Sequence, residues 1–467
     1  MVADSADGAD DKDLHAQRTM SLASGLQGKR DVCVAKGKRR LVQKGHTPEQ
    51  HVAMAMNITS PLVMPVPSAN DLEFALQTCV KEGANIRSWR QARFRELAAL
   101  VKKPEALGAE MDALRSESSK AVSQHLKPEA IEALRLLICW PDEGSANSIV
   151  KGSEIVGEIP PTGVFRGAKA ADSTCIHSIC SGEAVGALGN DEWAKKLLKN
   201  KPPDVDERIA VWMKSEEERV RGTIEGWYTK EGVDAIFGVN RWRAMKRFGI
   251  FQENNGEWRT IDNGRSSMHN TGTSATERIS TTSVETGYAV YRRFADIYYA
   301  VHGCLPSFKV TTKDMKRAYR QLAPHEDHLH MSVICIWSLE HSCWMFGILH
   351  GLAFGLSGAV LQFNRHPPLL VAVARRILAI PVISFFDDFK ITELVAAMGS
   401  GAHYFDKLVE LTGWSFDPKK DKTESPATFL GTVEDFSSSQ NTGIITVSPK
   451  ALRLQGAIKR IDAALPT

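Results

Sequence analysis

Two adjacent aspartates stand between two apolar runs in the stretch "ISFFDDFKI", residues 383–391. The flanking runs carry the β-branched and aromatic residues typical of strands, so the stretch predicts a strand, a turn and a second strand. Like charges repel each other and are poorly solvated beside apolar side chains, which makes Asp387 and Asp388 costly neighbours. Two explanations are open at this point: a tight surface turn, or a pair of metal ligands on a β-hairpin.

The composition of the chain limits where and how it works. It has 467 residues and a net charge of only +3, so any basic surface for nucleic acid must be local. Its eight cysteines form no regular framework and its N-terminus lacks the apolar core of a signal peptide. These features predict an intracellular protein, in the nucleus or cytoplasm and not secreted. Residues 341–364 lack charged side chains, but glycines and histidines interrupt them, so we predict buried strand, loop and helix and no membrane partner.

Strand and helix patterns mix in the second half of the chain without regular βαβ alternation. "SFKVTTKD" alternates apolar and polar residues up to Asp314, and "LHMSVICIWSLEHSCWMFGIL" predicts two strands joined by a short turn. Helical patterns cover residues 202–237, the segment "TSVETGYAVYRRFADIYYAVHG" and the segment "GAHYFDKLVELTGWSF". After the last of these, "ATFLGTVEDF" predicts a strand. This mixture predicts an α+β domain built on an antiparallel sheet.

A third aspartate, at the end of an earlier predicted strand, changes the interpretation of the pair Asp387 and Asp388. Nucleotidyl transfer by two metal ions needs carboxylates from separate strands that converge on ions about 4 Å apart. Asp314, 73 positions before Asp387, ends the strand "FKVTTKD" and is placed to be the third ligand. Hard oxygen ligands of this kind suit Mg²⁺, with Mn²⁺ as its substitute. Each element alone is more typical of a turn or a helix cap, and only their combination points to a metal site.

The order of these blocks resembles the palm of reverse transcriptases. In "KDMKRAYRQL", Asp314 takes the place of the metal-binding aspartate and Tyr319 that of the aromatic that blocks a ribose 2′-hydroxyl. "LAFGLSGAVLQF" is similar to the "LPFGLSSAPxxF" block of retroelement enzymes, with Phe354 and Gly355 matching and both prolines replaced. "FFDD" is similar to the aromatic-x-Asp-Asp hairpin of the family, with Phe385 in place of the commoner tyrosine.

Further blocks extend the resemblance on both sides. "EWRTIDNGRSSMHN" is similar to the fingers strand "KWRxIDDFRxSxxN", in which Arg259 would hold an incoming triphosphate. "GWSFDPKKDK" resembles the motif whose lysine is proposed to protonate pyrophosphate. Lys420 matches best, although Lys419 and Lys422 compete with it. "FLG", residues 429–431, is similar to the primer-grip strand.

The resemblance implies a right-hand polymerase of α+β class, with palm, fingers, an antiparallel sheet, a truncated thumb and a helical N-terminal extension. Residues 1–60 are then a charged, disordered segment, and residues 61–200 a mostly helical extension whose role is not predicted. Residues 201–300 lead into the fingers, 301–440 form the palm and fingers core, and 441–467 begin the thumb.

The activity that the resemblance implies is RNA-directed DNA polymerisation, as in a retrotransposon of the LTR or DIRS-like type. Asp314, Asp387 and Asp388 would hold Mg²⁺ and Lys420 would act as general acid. Arg259, Tyr319, Phe354 and Gly355 would bind the deoxynucleoside triphosphate. An RNA template and a DNA primer are the implied partners, and the oligomeric state is left open.

Alternatives stand beside these assignments. Tyr319, Phe354 and Phe363 also fit an aromatic core, and Arg259 also fits a hairpin ion pair with Glu257 or Asp262. At the level of function, one rival is a catalytically silent nucleic-acid-binding protein that keeps the palm. The other is an RNA-directed RNA polymerase, which Tyr319 disfavours because such an enzyme must admit the 2′-hydroxyl.

Overall fold

A computed structural model of the chain describes residues 30–35, 38–43, 47, 50, 53, 69–101, 105–168, 174–181, 183, 184, 186–253 and 256–464. The chain divides into two units, Met1–Pro65 and Val66–Thr467. In the first unit, strands β1 (Arg30–Ala35) and β2 (Lys38–Gln43) form an antiparallel hairpin. Most of the segment 1–60, for which disorder is predicted, lies outside the described residues.

The second unit contains all the other helices and strands whose bounds the structure describes. Its described helices are α1 (Asn70–Glu82), α2 (Ile86–Val101), α3 (Glu105–Ala113), α4 (Glu117–Ser123), α5 (Pro128–Leu137), α6 (Ser145–Val150), α7 (Ile176–Ser181), α8 (Asn190–Leu198), α9 (Val205–Val220), α10 (Lys230–Phe237), α11 (Val284–His302), α12 (Ser357–Asn364), α13 (His366–Leu378), α14 (Ser400–Thr412), α15 (Ser439–Thr442) and α16 (Ala451–Ala464).

The strands of the second unit are mostly short. They are β3 (Gly157–Ile159), β4 (Arg166–Gly167), β5 (Ile224–Tyr228), β6 (Ala244–Gln252), β7 (Glu257–Asp262), β8 (Thr273–Ala275), β9 (Glu277–Arg278), β10 (Phe308–Asp314), β11 (Val333–Ser338), β12 (Cys343–Leu349), β13 (Val382–Phe385), β14 (Asp388–Leu394), β15 (Lys422–Glu424), β16 (Ala427–Phe429), β17 (Thr432–Asp435) and β18 (Thr446–Pro449).

A four-stranded antiparallel sheet, which we call the central sheet, has the order β13-β14-β10-β15. Successive side chains of its middle strands, β14 and β10, point to opposite faces of the sheet. Phe389 and Ile391 of β14 pack into the largest apolar cluster of the protein, together with α13 and α14. Helices α13 and α14 therefore pack against one face of the central sheet and fix the positions of its strand ends.

A five-stranded sheet of order β5-β12-β11-β6-β7 forms the second layer, with α9 packed against β5, β6 and β7. Its pairs are antiparallel except for β6 and β11, which run parallel. Trp212 of α9 and Trp227 of β5 stack with ring centroids 5.3 Å apart. β12 leads directly into the loop and helix α12 that follow it, so this sheet fixes the position of the segment 350–364.

Helices α1 and α2 of the N-terminal extension are built into the core of the second unit. Leu72 and Leu76 of α1 share an apolar cluster with Phe308 of β10 and Ile383 of β13. Arg90 of α2 is fully buried and donates hydrogen bonds to Glu393, to Ser400 and to the carbonyl groups of residues 378 and 379. The extension therefore completes the packing of the central sheet.

Most elements of the second half match the sequence-based predictions. The mixed α and β content is confirmed, and the strand that ends at Asp314 is present as β10. Residues 341–364 are strand β12, a loop and α12, as predicted. Among the described helices, none is long and apolar enough to cross a membrane.

Two predictions about elements were wrong. Residues 202–237 are not one helical stretch, because β5 separates α9 from α10. "ATFLGTVEDF" is not one strand but the hairpin of β16 and β17, with Leu430 and Gly431 at positive φ in its turn. Both errors have the same cause, since short elements joined by a tight turn lack the length over which hydrophobic periodicity is detectable.

Candidate functional site

The register of the central sheet brings two of the predicted aspartates together. β10 and β14 pair antiparallel so that Asp314 lies directly opposite Asp388. Residues opposite each other in antiparallel strands project to the same face of a sheet. The main chain adds a further link, because the amide of Met315 donates a hydrogen bond of 2.9 Å to the carbonyl of Asp387. The three aspartates therefore meet at one end of the central sheet.

The hairpin turn differs in detail from the predicted one. Phe385 pairs with Asp388, so the two-residue turn consists of Phe386 and Asp387, and Asp388 is already the first residue of β14. Phe386 has a φ of 53°, the left-handed conformation that a two-residue hairpin turn demands. The doublet therefore divides its roles: Asp387 belongs to the turn and Asp388 to the strand.

Electrostatic crowding marks this group of carboxyls. Burial raises the pKa of Asp387, and the negative charge of Asp314 raises it further. Burial also raises the pKa of Asp388, and the charges of Asp387 and Asp314 and a hydrogen bond shared with Asp314 bring it to about 7. Three carboxyls so close together are unfavourable without a compensating positive charge.

Lys420 supplies one such charge. Its Nζ lies 2.7 Å from Oδ2 of Asp314, although the lysine side chain is largely exposed. Burial lowers the pKa of Lys420, but the hydrogen bond and charge of Asp314 outweigh that effect and leave it raised. Lys419 and Lys422 line the neighbouring cleft without a described ion pair to the aspartates. Of the three lysines that compete in the sequence, Lys420 is the one that reaches the site.

Tyr319 and Phe354 form an aromatic layer near the aspartates. The Tyr319 ring lies 4.8 Å from that of Phe354 and 4.7 Å from that of Phe363, measured between centroids, and is only 8% exposed. Burial raises the pKa of Tyr319 to about 12, and the nearby charge of Asp387 acts in the same direction. Tyr319 is therefore a packed core aromatic, as one of the two sequence-based explanations predicts, and its role toward a ribose stays a prediction.

Arg259 and Gly355 adjoin this aromatic layer at Phe354. The Arg259 guanidinium sits 5.2 Å from the centre of the Phe354 ring, and its side chain is exposed. Gly355 has a φ of +108°, and a Cβ there would collide with the backbone oxygen of Asp262. Asn270 clamps the same loop, donating to the Gly355 carbonyl and accepting from the Ser357 amide, both at 2.8 Å.

A ring of four charges, buried or nearly buried, supports Arg259 and the loop, and no sequence motif predicted it. Arg247 binds Asp262 at 2.6 Å and Glu218 at 2.7 Å, while Arg320 binds Glu218 at 2.7 Å and Asp262 at 3.1 Å. Burial alone would raise the pKa of Glu218, but the charges of both arginines lower it to about 2. We call these residues the charge ring. It joins α9, β6 and β7 to the segment that follows β10.

An open cleft of about 880 Å³ adjoins the aspartates. Asp314 and Asp388 line it on one side and the turn of β16 and β17, residues 429–431, on the other. Basic side chains occupy its rim: Lys419, Lys420, Lys422, Lys450 and Arg453. Sequence reasoning missed Lys450 and Arg453, which follow β18 and belong to no motif, so only the folded arrangement brings them to the cleft.

The donor set at the end of the central sheet fits a hard divalent cation. It consists of carboxylate oxygens whose mutual repulsion a cation would relieve, and such oxygens are preferred ligands of Mg²⁺. As they stand, no three metal-ligating side chains of the described residues converge closely enough to hold an ion. The Lys420 ammonium group is bonded to Oδ2 of Asp314, so it would compete with an ion for that oxygen.

Comparison with known proteins adds no relative to this description. No protein-family model matches the sequence, and no curated protein matches it at a significant level.

Proposed function

We propose that the chain is an RNA-directed DNA polymerase that adds deoxynucleotides to a primer 3′-hydroxyl. The observation that carries the proposal is the pairing of Asp314 with Asp388, which gathers three aspartates beside a basic cleft. In this proposal the central sheet is the palm, the five-stranded sheet with α9 and α10 is the fingers, and α16 begins the thumb.

Mg²⁺, or Mn²⁺ in its place, would be held by Asp314, Asp387 and Asp388. When bound, the ion would make the primer hydroxyl a better nucleophile and stabilise charge on the phosphates. The hydroxyl oxygen forms a bond to the α-phosphate, the bond to the β-phosphate breaks, and pyrophosphate leaves. The raised pKa values of Asp387 and Asp388 support the assignment, since they show a site that favours added positive charge.

Arg259 would bind the triphosphate of the incoming nucleotide. Its guanidinium is exposed and stacks over Phe354, so its donors are free to make paired hydrogen bonds to phosphate oxygens. The positive φ of Gly355 lets its loop approach the backbone of Asp262 closely, which holds the loop against β7, the strand that carries Arg259. Both residues adjoin Tyr319 through the Phe354 ring.

Tyr319 would exclude the ribose 2′-hydroxyl. Its ring is fixed by Phe354 and Phe363, so it cannot swing aside to admit an additional oxygen atom. Its high pKa keeps the phenol neutral at physiological pH, which avoids a further negative charge beside Asp387.

Lys420 would donate a proton to the departing pyrophosphate. Its pKa is raised by Asp314, so the side chain is fully protonated near neutral pH. The RNA template and DNA primer would lie in the cleft, whose lysines and Arg453 are suited to phosphate contacts. The function implies an intracellular location where nucleic acid is available, the nucleus or the cytoplasm.

Primer extension on an RNA template tests the proposal. The wild-type chain should extend a labelled DNA primer with deoxynucleotides when Mg²⁺ is present and stop when the ion is chelated. Asp387→Asn should reduce extension by at least about 100-fold. Asp296→Asn, an exposed aspartate on α11, is the matched control and should leave extension unchanged. Undiminished extension by the Asp387 variant would refute the site.

Nucleic-acid binding without catalysis is the second candidate function. Two observations favour it: the ion pair of Lys420 with Asp314, and the lack of three converged ligands among the described residues. In that case the chain would bind a primer-template in a gel-shift assay at low salt yet incorporate no nucleotide under any metal condition. Equal use of ribonucleotides and deoxynucleotides would instead indicate an RNA-directed RNA polymerase.

A further inference from the structure

A small cavity of about 230 Å³ lies where three parts of the chain meet. His125 comes from the segment after α4, Arg221 and Thr223 from the end of α9, and Arg317, Arg320 and Gln321 from the turn after β10. We call it the arginine pocket. Its volume is below the roughly 300 Å³ at which sites for drug-sized ligands begin, so it suits a small group.

Positive charge in the arginine pocket is only partly balanced by nearby carboxylates. Within the part of the chain that the structure describes, no carboxylate forms an ion pair with Arg317, and Arg221 has only a loose contact of 3.6 Å with exposed Glu217. Burial and the charge of Arg221 lower the pKa of Arg317, and the opposing charge of Glu218 does not reverse that shift. Two arginines that repel each other across a cavity are stabilised by an anion between them.

Three other polar residues of the arginine pocket are already engaged and give it a fixed wall. Arg320 is neutralised within the charge ring by Glu218 and Asp262. His125 donates from Nε2 to the Gln321 side-chain oxygen at 2.9 Å, and Gln321 itself is anchored to the carbonyls of Lys316 and Ser415. Among the described lining residues, Arg221 and Arg317 therefore supply the charged donors for a ligand, and the Thr223 hydroxyl supplies a neutral one.

The backbone of Arg317 also has an unusual conformation. Its φ of 53° lies in the left-handed region, which a long side chain rarely adopts. Residues in such conformations persist where the surrounding structure requires them, and they concentrate at functional positions. Here the conformation reverses the chain just after β10, and Arg317 becomes part of the cavity wall.

We propose that the arginine pocket binds a phosphate group. Guanidinium groups match phosphate oxygens with paired, charge-assisted hydrogen bonds, and two of them on one small cavity define a site for a single phosphate. The phosphate belongs either to the backbone of a nucleic-acid strand or to a free anion, and the chemistry of recognition is the same. The inference does not depend on the polymerase proposal, because it uses none of the three aspartates.

Inorganic phosphate is the first probe. The melting temperature of the full chain should rise with phosphate concentration more than with chloride at equal ionic strength, since a ligand of the folded state stabilises it. Arg221→Gln and Arg317→Gln should each lower the apparent phosphate affinity about tenfold. Arg95→Gln, an exposed arginine on α2, is the matched control and should respond like the wild type.

A fluorescently labelled single-stranded oligonucleotide is the second probe, measured by anisotropy. Weaker binding by the Arg221 and Arg317 variants in this arm identifies a backbone phosphate as ligand, and weaker binding in the phosphate arm alone identifies a free anion. Arg317→Lys keeps the charge and should recover part of the affinity, which separates binding from folding. Responses equal to those of Arg95→Gln in both arms would overturn the proposal.

Discussion

Asp388 carries the clearest electrostatic cost of any single residue in the site. Its raised pKa means that it is ionised less readily in the folded chain than in the unfolded one. Such a group does not affect stability below its unfolded pKa of about 4, and it destabilises the fold increasingly as the pH rises toward about 7. Above that pH the cost is complete.

Asp388→Asn should therefore stabilise the chain at pH 8 in the absence of divalent cations, by about 1–2 kcal/mol after solvent screening. At pH 4 the variant and the wild type should unfold alike. Urea unfolding with a chelator at both pH values measures the difference, and Asp296→Asn serves as control. A stability gain that is the same at pH 4 and pH 8 would contradict the electrostatic origin.

Gly355 makes the second prediction at this scale. Gly355→Ala combines a disfavoured backbone conformation with a collision against the Asp262 carbonyl, so it should destabilise the chain by about 3 kcal/mol. Gly256→Ala is the matched control: its φ is also positive, at +68°, but no atom lies within 4 Å of the added Cβ. Thermal unfolding should show a small effect, of about 1 kcal/mol, for the control. If the two substitutions destabilised the chain equally, the loop that contains Gly355 would have shifted to accommodate the added Cβ.

Among elements, the charge ring joins parts of the chain that are far apart in sequence. It holds α9, β6 and β7 to the turn after β10, and all four side chains are buried or nearly so. Breaking a buried ion pair leaves an uncompensated charge, which costs more than the pair itself contributes.

Asp262→Asn should cost about 3–5 kcal/mol, because it leaves Arg247 and Arg320 with one carboxylate between them. Glu410→Gln removes an exposed pair with Lys407 and should cost less than about 1 kcal/mol. Denaturant unfolding measures both. If Asp262→Asn proved as mild as Glu410→Gln, the charge ring would not be what connects the two sheets.

The extent of sequence prediction also differs between elements. The hairpin of β13 and β14 and the strand that ends at Asp314 follow from alternation over several residues. The position of Asp388 opposite Asp314 depends on the register between β10 and β14. The alternation of apolar and polar residues does not determine the register between strands that are far apart in sequence. Lys420 could not be separated from its neighbouring lysines, because the choice depends on where the loop after Trp414 returns to β10.

At the scale of the whole molecule, the helical N-terminal extension is part of the core. Apolar residues of α1 and α2 pack against the central sheet, and Arg90 neutralises buried Glu393. The sequence predicted these helices but not their partners, since an amphipathic face shows that a helix is buried and not against what.

Two deletions test this arrangement. Removal of residues 1–65 should leave the second unit with its cooperative unfolding transition, because that unit begins at Val66. Removal of residues 1–104 should abolish the transition, since each large core side chain lost costs about 2–5 kcal/mol. Circular dichroism during heating distinguishes the outcomes. A cooperative transition in the shorter chain would show that the extension is dispensable.

The pairing of β10 with β14 rests on backbone hydrogen bonds along seven residue pairs, not on the carboxyl groups that it brings together. A copy of the chain that lost one aspartate would therefore keep the same cleft and the same basic side chains around it. Under the proposed function, such an inactive copy would still bind templates and would compete for them with active copies.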